Sequence, residues 1–115
     1  MTDPVVYIDD EEDLCRIFRL LVGRATDAAV ETFADPLEAL EYLDSHAASV
    51  VLCDYRMPQL TGLEVLDRMK TSVPFFFVSG DLYVQDMLGD DPRVTGVIRK
   101  PISPPRLIDL VRSFL

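Results

Sequence analysis

The most informative stretch of the sequence is Val50-Val51-Leu52-Cys53-Asp54, in which four apolar residues lead to a carboxylate. A short run that is apolar on both faces is typical of a β-strand covered on both sides, as in a parallel sheet between two layers of helices. The stretch therefore predicts a central parallel strand, and Asp54 stands at its carboxyl end.

Short strands and helical patterns alternate on both sides of this stretch. The other predicted strands cover residues 5–8, 29–33, 75–78 and 97–98. The first helix is predicted to stop at Gly23, Asp35-Pro36 is typical of a helix start, and Ser103 is predicted to cap the last helix. Five strands alternating with five helices predict an α/β fold, with a five-stranded parallel sheet and helices on both faces.

Polar residues stand where the predicted strands end. Asp9 and Asp10 follow the first strand, Asp54 ends the third, Ser79 follows the fourth and Lys100 follows the fifth. The carboxyl ends of parallel strands lie at one edge of the sheet, where ligands of such folds bind. Each residue alone has an ordinary explanation, such as a turn, a helix N-terminus or a solvated surface charge. Their joint placement predicts one site.

The chemistry expected of such a site is phosphoryl transfer. Two carboxylates ~4 Å apart repel each other by about 4 kcal/mol at a surface-like dielectric constant, so the acids need positive charge nearby. Lys100 supplies one charge, and Mg²⁺, which prefers oxygen ligands, supplies more. Phosphoryl transfer needs mainly positioning and neutralisation of oxygen charge. Asp54 is then the predicted nucleophile, and Ser79 is placed to donate a hydrogen bond to a phosphoryl oxygen.

Composition narrows the class of protein. The chain has 115 residues, 49% of them hydrophobic, which suits one domain with a sizeable core. The net charge of -9 argues against direct binding to nucleic acid or to an anionic membrane surface. The sequence shows neither a signal peptide nor an apolar run near the ~18 residues of a membrane span. Cys15 and Cys53 lack metal-ligand spacing and form no disulfide framework, so a reducing cytoplasm is expected.

Four stretches together resemble the receiver family of response regulators across essentially the whole chain. They are Ile8-Asp9-Asp10-Glu11, Asp54-Tyr55-Arg56-Met57-Pro58-Gln59-Leu60-Thr61-Gly62, Val78-Ser79-Gly80 and Lys100-Pro101. The resemblance implies a single receiver domain over residues 1–115, with the flavodoxin-like strand order 2-1-3-4-5.

The resemblance also implies a role for each acidic residue of the site. Asp54 resembles the phosphoacceptor of the family. Asp10, Asp54 and the main-chain carbonyl of Arg56 resemble its Mg²⁺ ligands, and Asp9 resembles a residue that helps to hold the metal largely through water.

Two further residues resemble the parts that respond to the phosphoryl group. Ser79 resembles the switch hydroxyl and Lys100 the phosphate partner, and the Lys100-Pro101 peptide bond is expected to be cis. Val97 departs from the family, which usually has Tyr or Phe three residues before the lysine. That departure puts in question the output face formed by helix 4, strand 5 and helix 5.

Arg56 and Asp81 occupy positions that tune dephosphorylation in the family. Two alternatives are open for them. The side chains either pair over the site and shield it, or they are independent surface charges.

The function implied is that of a phosphorylation-dependent switch and not of a conventional enzyme. The expected donors are a histidine kinase or a histidine phosphotransfer protein, and the expected output is a downstream protein partner or a phosphorylation-dependent homodimer. The main alternative is a receiver-like interaction module that acts without phosphorylation.

An aspartyl-phosphate hydrolase is disfavoured because Arg56 stands where such enzymes place an acid, and a dinucleotide-binding domain is disfavoured because no G-x-G-x-x-G follows the first strand. Both a stand-alone regulator and a receiver excised from a longer protein fit these features.

Overall fold

Five strands alternate with five helices in the computed structural model, which describes residues 3–115. The strands are β1 (Val5–Ile8), β2 (Val30–Phe33), β3 (Val50–Asp54), β4 (Phe75–Ser79) and β5 (Gly96–Arg99). The helices are α1 (Glu12–Ala25), α2 (Pro36–Ser45), α3 (Gly62–Arg68), α4 (Tyr83–Leu88) and α5 (Pro104–Arg112). The strands form one parallel sheet in the order β2-β1-β3-β4-β5, which confirms the predicted fold class and strand order.

The centre of the sheet is apolar and closed to solvent. Every residue of β1, β3 and β4 is buried, as the apolar character of residues 50–53 predicts. The edge strand β2 is only partly buried. The Arg19 guanidinium on α1 covers part of this edge, because it donates to the Val30 carbonyl oxygen at 3.0 Å and to Thr32 Oγ1 at 3.3 Å. Such a cover protects a sheet edge against pairing with another chain.

Alternate strand residues point to opposite faces of the sheet and form two apolar clusters. On one face, Val51, Cys53 and their neighbours pack against helices α2, α3 and α4. On the other face, Val50, Leu52 and their neighbours pack against α1 and α5. Helices therefore cover both faces, as predicted.

One helix end and one helix cap differ from the sequence prediction. Helix α1 passes through Gly23 and ends at Ala25, because Val22 is still part of the core and its carbonyl oxygen accepts from both Thr26 N–H at 3.0 Å and Thr26 Oγ1 at 2.8 Å. Ser103 occupies the N-cap position of α5, but within residues 3–115 its side chain makes no capping hydrogen bond. Pro104 at the first helical position needs no donor partner, which lowers the demand for such a cap.

The predicted start of α2 is confirmed. The Asp35 carboxylate accepts from the Leu37 N–H at 2.9 Å, with Pro36 at the first helical position.

In the part of the chain that the structure describes, no helix combines the length and the apolar character that a membrane span requires.

Candidate functional site

The carboxyl edge of the sheet brings the predicted acidic residues and the lysine together. Asp9, Asp10 and Asp54 each present one carboxylate oxygen, and these oxygens lie within 4.8 Å of one another. Lys100 Nζ lies 3.1 Å from Asp9 Oδ2 and 3.3 Å from Asp54 Oδ1. The parallel register explains this meeting, because it places the end of β3 beside the end of β4 and the end of β4 beside β5.

Ser79 ends β4 and is buried beside this cluster. Its hydroxyl oxygen accepts from the Asp81 N–H at 3.0 Å, and its carbonyl oxygen accepts from the Lys100 N–H at 2.9 Å. The Lys100-Pro101 peptide bond is cis, as predicted. The main chain therefore ties the serine directly to the lysine.

Asp9 is fully buried and almost fully committed to protein donors. Its Oδ1 accepts from the Glu11 N–H at 3.0 Å, and its Oδ2 accepts from Tyr7 OH at 2.8 Å and from Lys100 Nζ at 3.1 Å. A carboxylate offers about four acceptor positions, so little remains for a direct bond to a metal. This geometry fits the predicted role of Asp9 through water, which stays a prediction.

The remaining donor set fits a hard divalent cation. Asp10 is partly exposed and Asp54 lies beside it, so two carboxylates face the open edge of the sheet. Oxygen ligands supplied by only a few protein groups are typical of Mg²⁺, which keeps several waters. The main-chain carbonyl of Arg56, two residues beyond Asp54, stays a predicted third ligand.

The surroundings of Asp54 raise the pKa of its carboxyl group. Burial, the negative charge of Asp9 and, more weakly, that of Asp10 raise the pKa of Asp54 to about 6, although Lys100 opposes this effect. Burial works against the charge of Lys100, but the carboxylates of Asp9 and Asp54 outweigh it and raise the pKa of the ammonium group. Lys100 is therefore charged at neutral pH, and the cluster carries more negative charge than this one cation neutralises.

This imbalance predicts that Asp54→Asn stabilises the metal-free protein at neutral pH. The folded-state pKa of Asp54, about 6, exceeds its ordinary value of 3.8, so the protonated carboxyl is favoured by folding. That contribution is complete below pH ~4 and is lost as the pH rises through ~6. We expect the asparagine variant to gain roughly 1 to 3 kcal/mol at pH 7.5 in EDTA and much less at pH 4.5.

The measurement is urea unfolding of both proteins across this pH range. Asp67→Asn is the matched control, since Asp67 is an exposed carboxylate in a surface ion pair with Arg93. A stability difference between Asp54→Asn and the native chain that does not grow with pH would contradict the assigned pKa.

The loop after β3 packs closely against the main chain of Asp54 and Tyr55. The Thr61 hydroxyl accepts from the Glu64 N–H at 3.2 Å, and Glu64 Oε1 accepts from the Thr61 N–H at 3.0 Å, which is a capping box at the start of α3. The Gly62 N–H donates to the Tyr55 carbonyl oxygen at 2.7 Å. A Cβ on Gly62 would lie 2.8 Å from the Asp54 carbonyl oxygen, so only glycine allows this approach.

Arg56 and Asp81 form an ion pair that joins the loop after β3 to the loop after β4. The structure shows that the two side chains pair, and shielding of the site by this pair stays a prediction. The Arg56 guanidinium and the Tyr83 N–H hold the pKa of Asp81 below its ordinary value. Because Arg56 is two residues from Asp54 and Asp81 is two residues from Ser79, the pair stands at the rim of the site.

Val97 is partly buried and packs against the cluster that includes α2, α3 and α4. Val97 has a small β-branched side chain in place of the aromatic ring that the family resemblance led us to expect. Rotation of this side chain therefore cannot move a large ring between two positions.

The sequence prediction missed Tyr7. This residue is 3% exposed, and its hydroxyl is the donor to Asp9 described above. Burial and the neighbouring Asp9 charge raise the pKa of Tyr7 well above its ordinary value, so the hydroxyl keeps its proton. The available signal was spacing: residues i and i+2 of a strand share a face, and a tyrosine inside an apolar strand needs a partner for its hydroxyl.

Comparison with known proteins agrees with this geometry. Residues 5–112 match the response regulator receiver domain family. The polar-differentiation response regulator DivK of Brucella ovis is 30% identical over an alignment of 125 residues, which covers 100% of this chain and 98% of the relative. The chain therefore belongs to the response regulator receiver domain family.

Solved structures show the same fold. The chemotaxis response regulator CheY4 of Vibrio cholerae superposes with a TM-score of 0.82 at 23% identity, covering 100% of both chains. A CheY-like receiver domain protein of Methanospirillum hungatei JF-1 superposes with a TM-score of 0.86 at 17% identity, covering 98% of this chain and 93% of the other. These similarities support the fold assignment alone.

Proposed function

We propose that this chain is the phospho-accepting receiver of a two-component or phosphorelay system, in which Asp54 takes a phosphoryl group from a phosphohistidine. The donor is a histidine kinase or a histidine phosphotransfer protein. The observation that carries the proposal is the buried Asp54 carboxylate, which lies 3.3 Å from the Lys100 ammonium inside a three-carboxylate cluster at the sheet edge.

In the proposed reaction an Asp54 carboxylate oxygen attacks the phosphorus. The P–N bond to the donor imidazole breaks, its electron pair returns to the imidazole nitrogen, and an acyl phosphate forms on Asp54. The carboxylate attacks in its ionised form, which Lys100 favours by its positive charge. Asp10, Asp54 and the Arg56 main-chain carbonyl would hold Mg²⁺, with Asp9 acting through water, and the ion would supply positive charge for the phosphoryl oxygens when bound.

The residues around Asp54 then respond to the new group. Lys100 turns from the carboxylates of Asp9 and Asp54 toward a phosphoryl oxygen, and the Ser79 hydroxyl donates to another. Charge-assisted hydrogen bonds of this kind stabilise one conformation over another. A shift from 1:99 to 99:1 requires about 5.5 kcal/mol of differential interaction. The output of that shift is altered affinity for a downstream protein or for a second copy of the chain.

On this proposal the chain is a switch and not a conventional enzyme, since it catalyses only its own phosphorylation and dephosphorylation. We place it in the cytoplasm. Cys15 and Cys53 are free, buried thiols, which fits a reducing compartment.

The test is intact-mass analysis after incubation with acetyl phosphate, with and without Mg²⁺. We expect one added phosphoryl group that requires both Mg²⁺ and Asp54, so that Asp54→Asn stays unmodified under the same conditions. The asparagine retains the size of the side chain but removes the nucleophilic carboxylate oxygen.

If the folded native chain gains no Mg²⁺-dependent adduct, and beryllofluoride with Mg²⁺ also causes no change in its amide NMR spectrum, the proposal fails. A receiver-like interaction module that acts without phosphorylation is then the better description. The beryllofluoride arm separates this outcome from rapid loss of a labile phosphoryl group.

We expect the Arg56–Asp81 ion pair to lengthen the lifetime of the phosphoryl group on Asp54. Arg56→Ala removes the guanidinium that joins the two loops, so water reaches the acyl phosphate more readily. We expect the phosphoryl half-life to fall several-fold, as measured by intact mass after the donor is removed, and Asp81→Ala to give a similar fall. Arg93→Ala is the control, because Arg93 pairs with Asp67 and Asp91 on a different surface. Unchanged half-lives in both rim variants would remove the shielding role.

A further inference from the structure

We infer that Tyr7 is a positioning residue for the phosphorylation of Asp54: its buried hydroxyl holds Asp9, so that Lys100 can leave Asp9 for the phosphoryl group. This inference rests on the proposed function. It assigns a role to a residue outside the acidic, serine and lysine set on which the proposed reaction depends.

Packing fixes the position of the Tyr7 hydroxyl. The ring stacks on Phe18 of α1, with centroids 4.3 Å apart and planes 10° from parallel. The remaining residues of β1 are Val5, Val6 and Ile8, so the hydroxyl is the one polar side-chain group in that strand. It donates to Asp9 Oδ2 at 2.8 Å, where both residues are buried. A ring held in this way fixes its hydroxyl within hydrogen-bonding distance of Asp9 Oδ2.

The same carboxylate oxygen also accepts from Lys100. Lys100 Nζ lies 3.1 Å from Asp9 Oδ2 and 3.3 Å from Asp54 Oδ1, so its ammonium group is shared between the two acids. Asp9 is 0% exposed, and water cannot easily replace a donor that leaves. When Lys100 turns toward a phosphoryl oxygen, Asp9 retains two donors, the Tyr7 hydroxyl and the Glu11 N–H, whose nitrogen lies 3.0 Å from Asp9 Oδ1. Tyr7 therefore lowers the free-energy cost of the lysine movement.

Loss of the hydroxyl has two consequences of opposite sign. Asp9 then depends more strongly on Lys100, which is less available to the phosphoryl group, and phosphorylation slows. Asp9 Oδ2 also becomes a freer and more negative acceptor, so a cation at the cluster binds equally well or more tightly. A purely structural contribution of Tyr7 would instead weaken metal binding and phosphorylation together.

The test compares Tyr7→Phe with the native chain. Phenylalanine keeps the ring that stacks on Phe18 and removes only the hydroxyl. We expect the rate of phosphorylation by acetyl phosphate at saturating Mg²⁺ to fall about tenfold, the size expected for loss of one hydrogen bond to a charged group. We expect the Mg²⁺ dissociation constant of the unphosphorylated protein, measured by titration calorimetry, to stay unchanged or to decrease.

Tyr42→Phe is the matched control. It removes one hydroxyl from a tyrosine on the opposite face of the sheet, where the ring stacks on His46 with centroids 4.2 Å apart. We expect it to leave both the rate and the Mg²⁺ dissociation constant at their native values. Urea unfolding of all three proteins checks that each is folded.

The outcomes separate this inference from the proposed function. If the native chain is not phosphorylated, the proposed function fails and the inference fails with it. If the native chain is phosphorylated and Tyr7→Phe matches its rate, the inference alone is overturned. A slower rate accompanied by proportionally weaker Mg²⁺ binding also overturns it, since that pattern indicates a structural role.

A second measurement needs no variant of Tyr7. With ¹³C-labelled tyrosine Cζ, the native chain should show a shifted Tyr7 resonance when beryllofluoride and Mg²⁺ are added, because Lys100 then leaves the oxygen that both groups share. The Tyr42 resonance should stay in place. A Tyr7 resonance that does not move while other signals of the site do would overturn the inference.

Discussion

Lys100→Met should lower the free energy of unfolding by about 3 kcal/mol in EDTA, and Mg²⁺ should restore most of that loss. The methionine retains a long apolar side chain but removes the only cation in contact with Asp9 and Asp54 within residues 3–115. Three neighbouring carboxylates are then left without a compensating charge, and Asp9 among them is fully buried. A divalent cation at the cluster supplies the missing charge, so the stability of this variant should depend on Mg²⁺ more strongly than that of the native chain.

Urea unfolding with EDTA and with saturating Mg²⁺ measures both effects. Lys70→Met is the control, because Lys70 is exposed and its contact with Asp44, at 3.6 Å, is a surface ion pair worth little. We expect the control to change stability by less than about 0.5 kcal/mol in either condition. If Lys100→Met were as stable as the control in EDTA, the lysine would not be the charge that balances this cluster.

The alternation of strand-length apolar runs with helix-spaced apolar patterns was sufficient to predict the α/β fold class, and the strand order came from the family resemblance. Residues 50–53 are apolar without alternation, which occurs in strands covered on both faces, and that strand is the centre of the sheet. The alternation of strands with helices predicts a parallel sheet, and in a parallel sheet the carboxyl ends of β1, β3, β4 and β5 lie at one edge. Proximity of Asp9, Asp54 and Lys100 therefore followed from topology, without any knowledge of side-chain positions.

Features that depend on tertiary contacts were not accessible in this way. Gly23 resembles a helix stop, yet α1 continues because Val22 is buried in the core and Thr26 closes the helix one turn later. Ile17 is spaced with Leu14, Phe18 and Leu21 as on one apolar helix face, yet it is 50% exposed. The residues of α1 that are buried are Cys15, Phe18 and Val22. Periodicity predicts that a helix has a buried face, but packing selects its orientation.

The hydrogen bonds of the site were likewise not determined by the sequence pattern. The spacing of Tyr7 and Asp9 places both residues on one face of the strand, but it does not determine whether the hydroxyl reaches the carboxylate or solvent. The stacking of Tyr7 on Phe18 makes that choice. The Arg56–Asp81 pair depends in the same way on the path of two loops, and loop paths are not fixed by residue types alone.

Gly62→Ala should destabilise the protein by about 3 kcal/mol and slow the phosphorylation of Asp54. A Cβ at this position would lie 2.8 Å from the Asp54 carbonyl oxygen and 2.9 Å from Phe77 Cε1. Neither neighbour can move freely, because Asp54 is a strand residue and Phe77 is fully buried. The clash is therefore relieved by displacing the start of α3 or the main chain of Asp54, and the second displacement moves the nucleophile away from Lys100.

Gly23→Ala is the matched control, and we expect it to have the opposite sign. Gly23 is an exposed residue inside α1, and within the described residues a Cβ there meets no atom within 4 Å, so alanine should stabilise the helix by about 0.5 to 1 kcal/mol. Urea unfolding and phosphorylation by acetyl phosphate measure the two effects in both variants. A Gly62→Ala protein as stable as the native chain would show that α3 can shift without cost. If that protein were also phosphorylated at the native rate, the close approach of Gly62 would have no part in positioning Asp54.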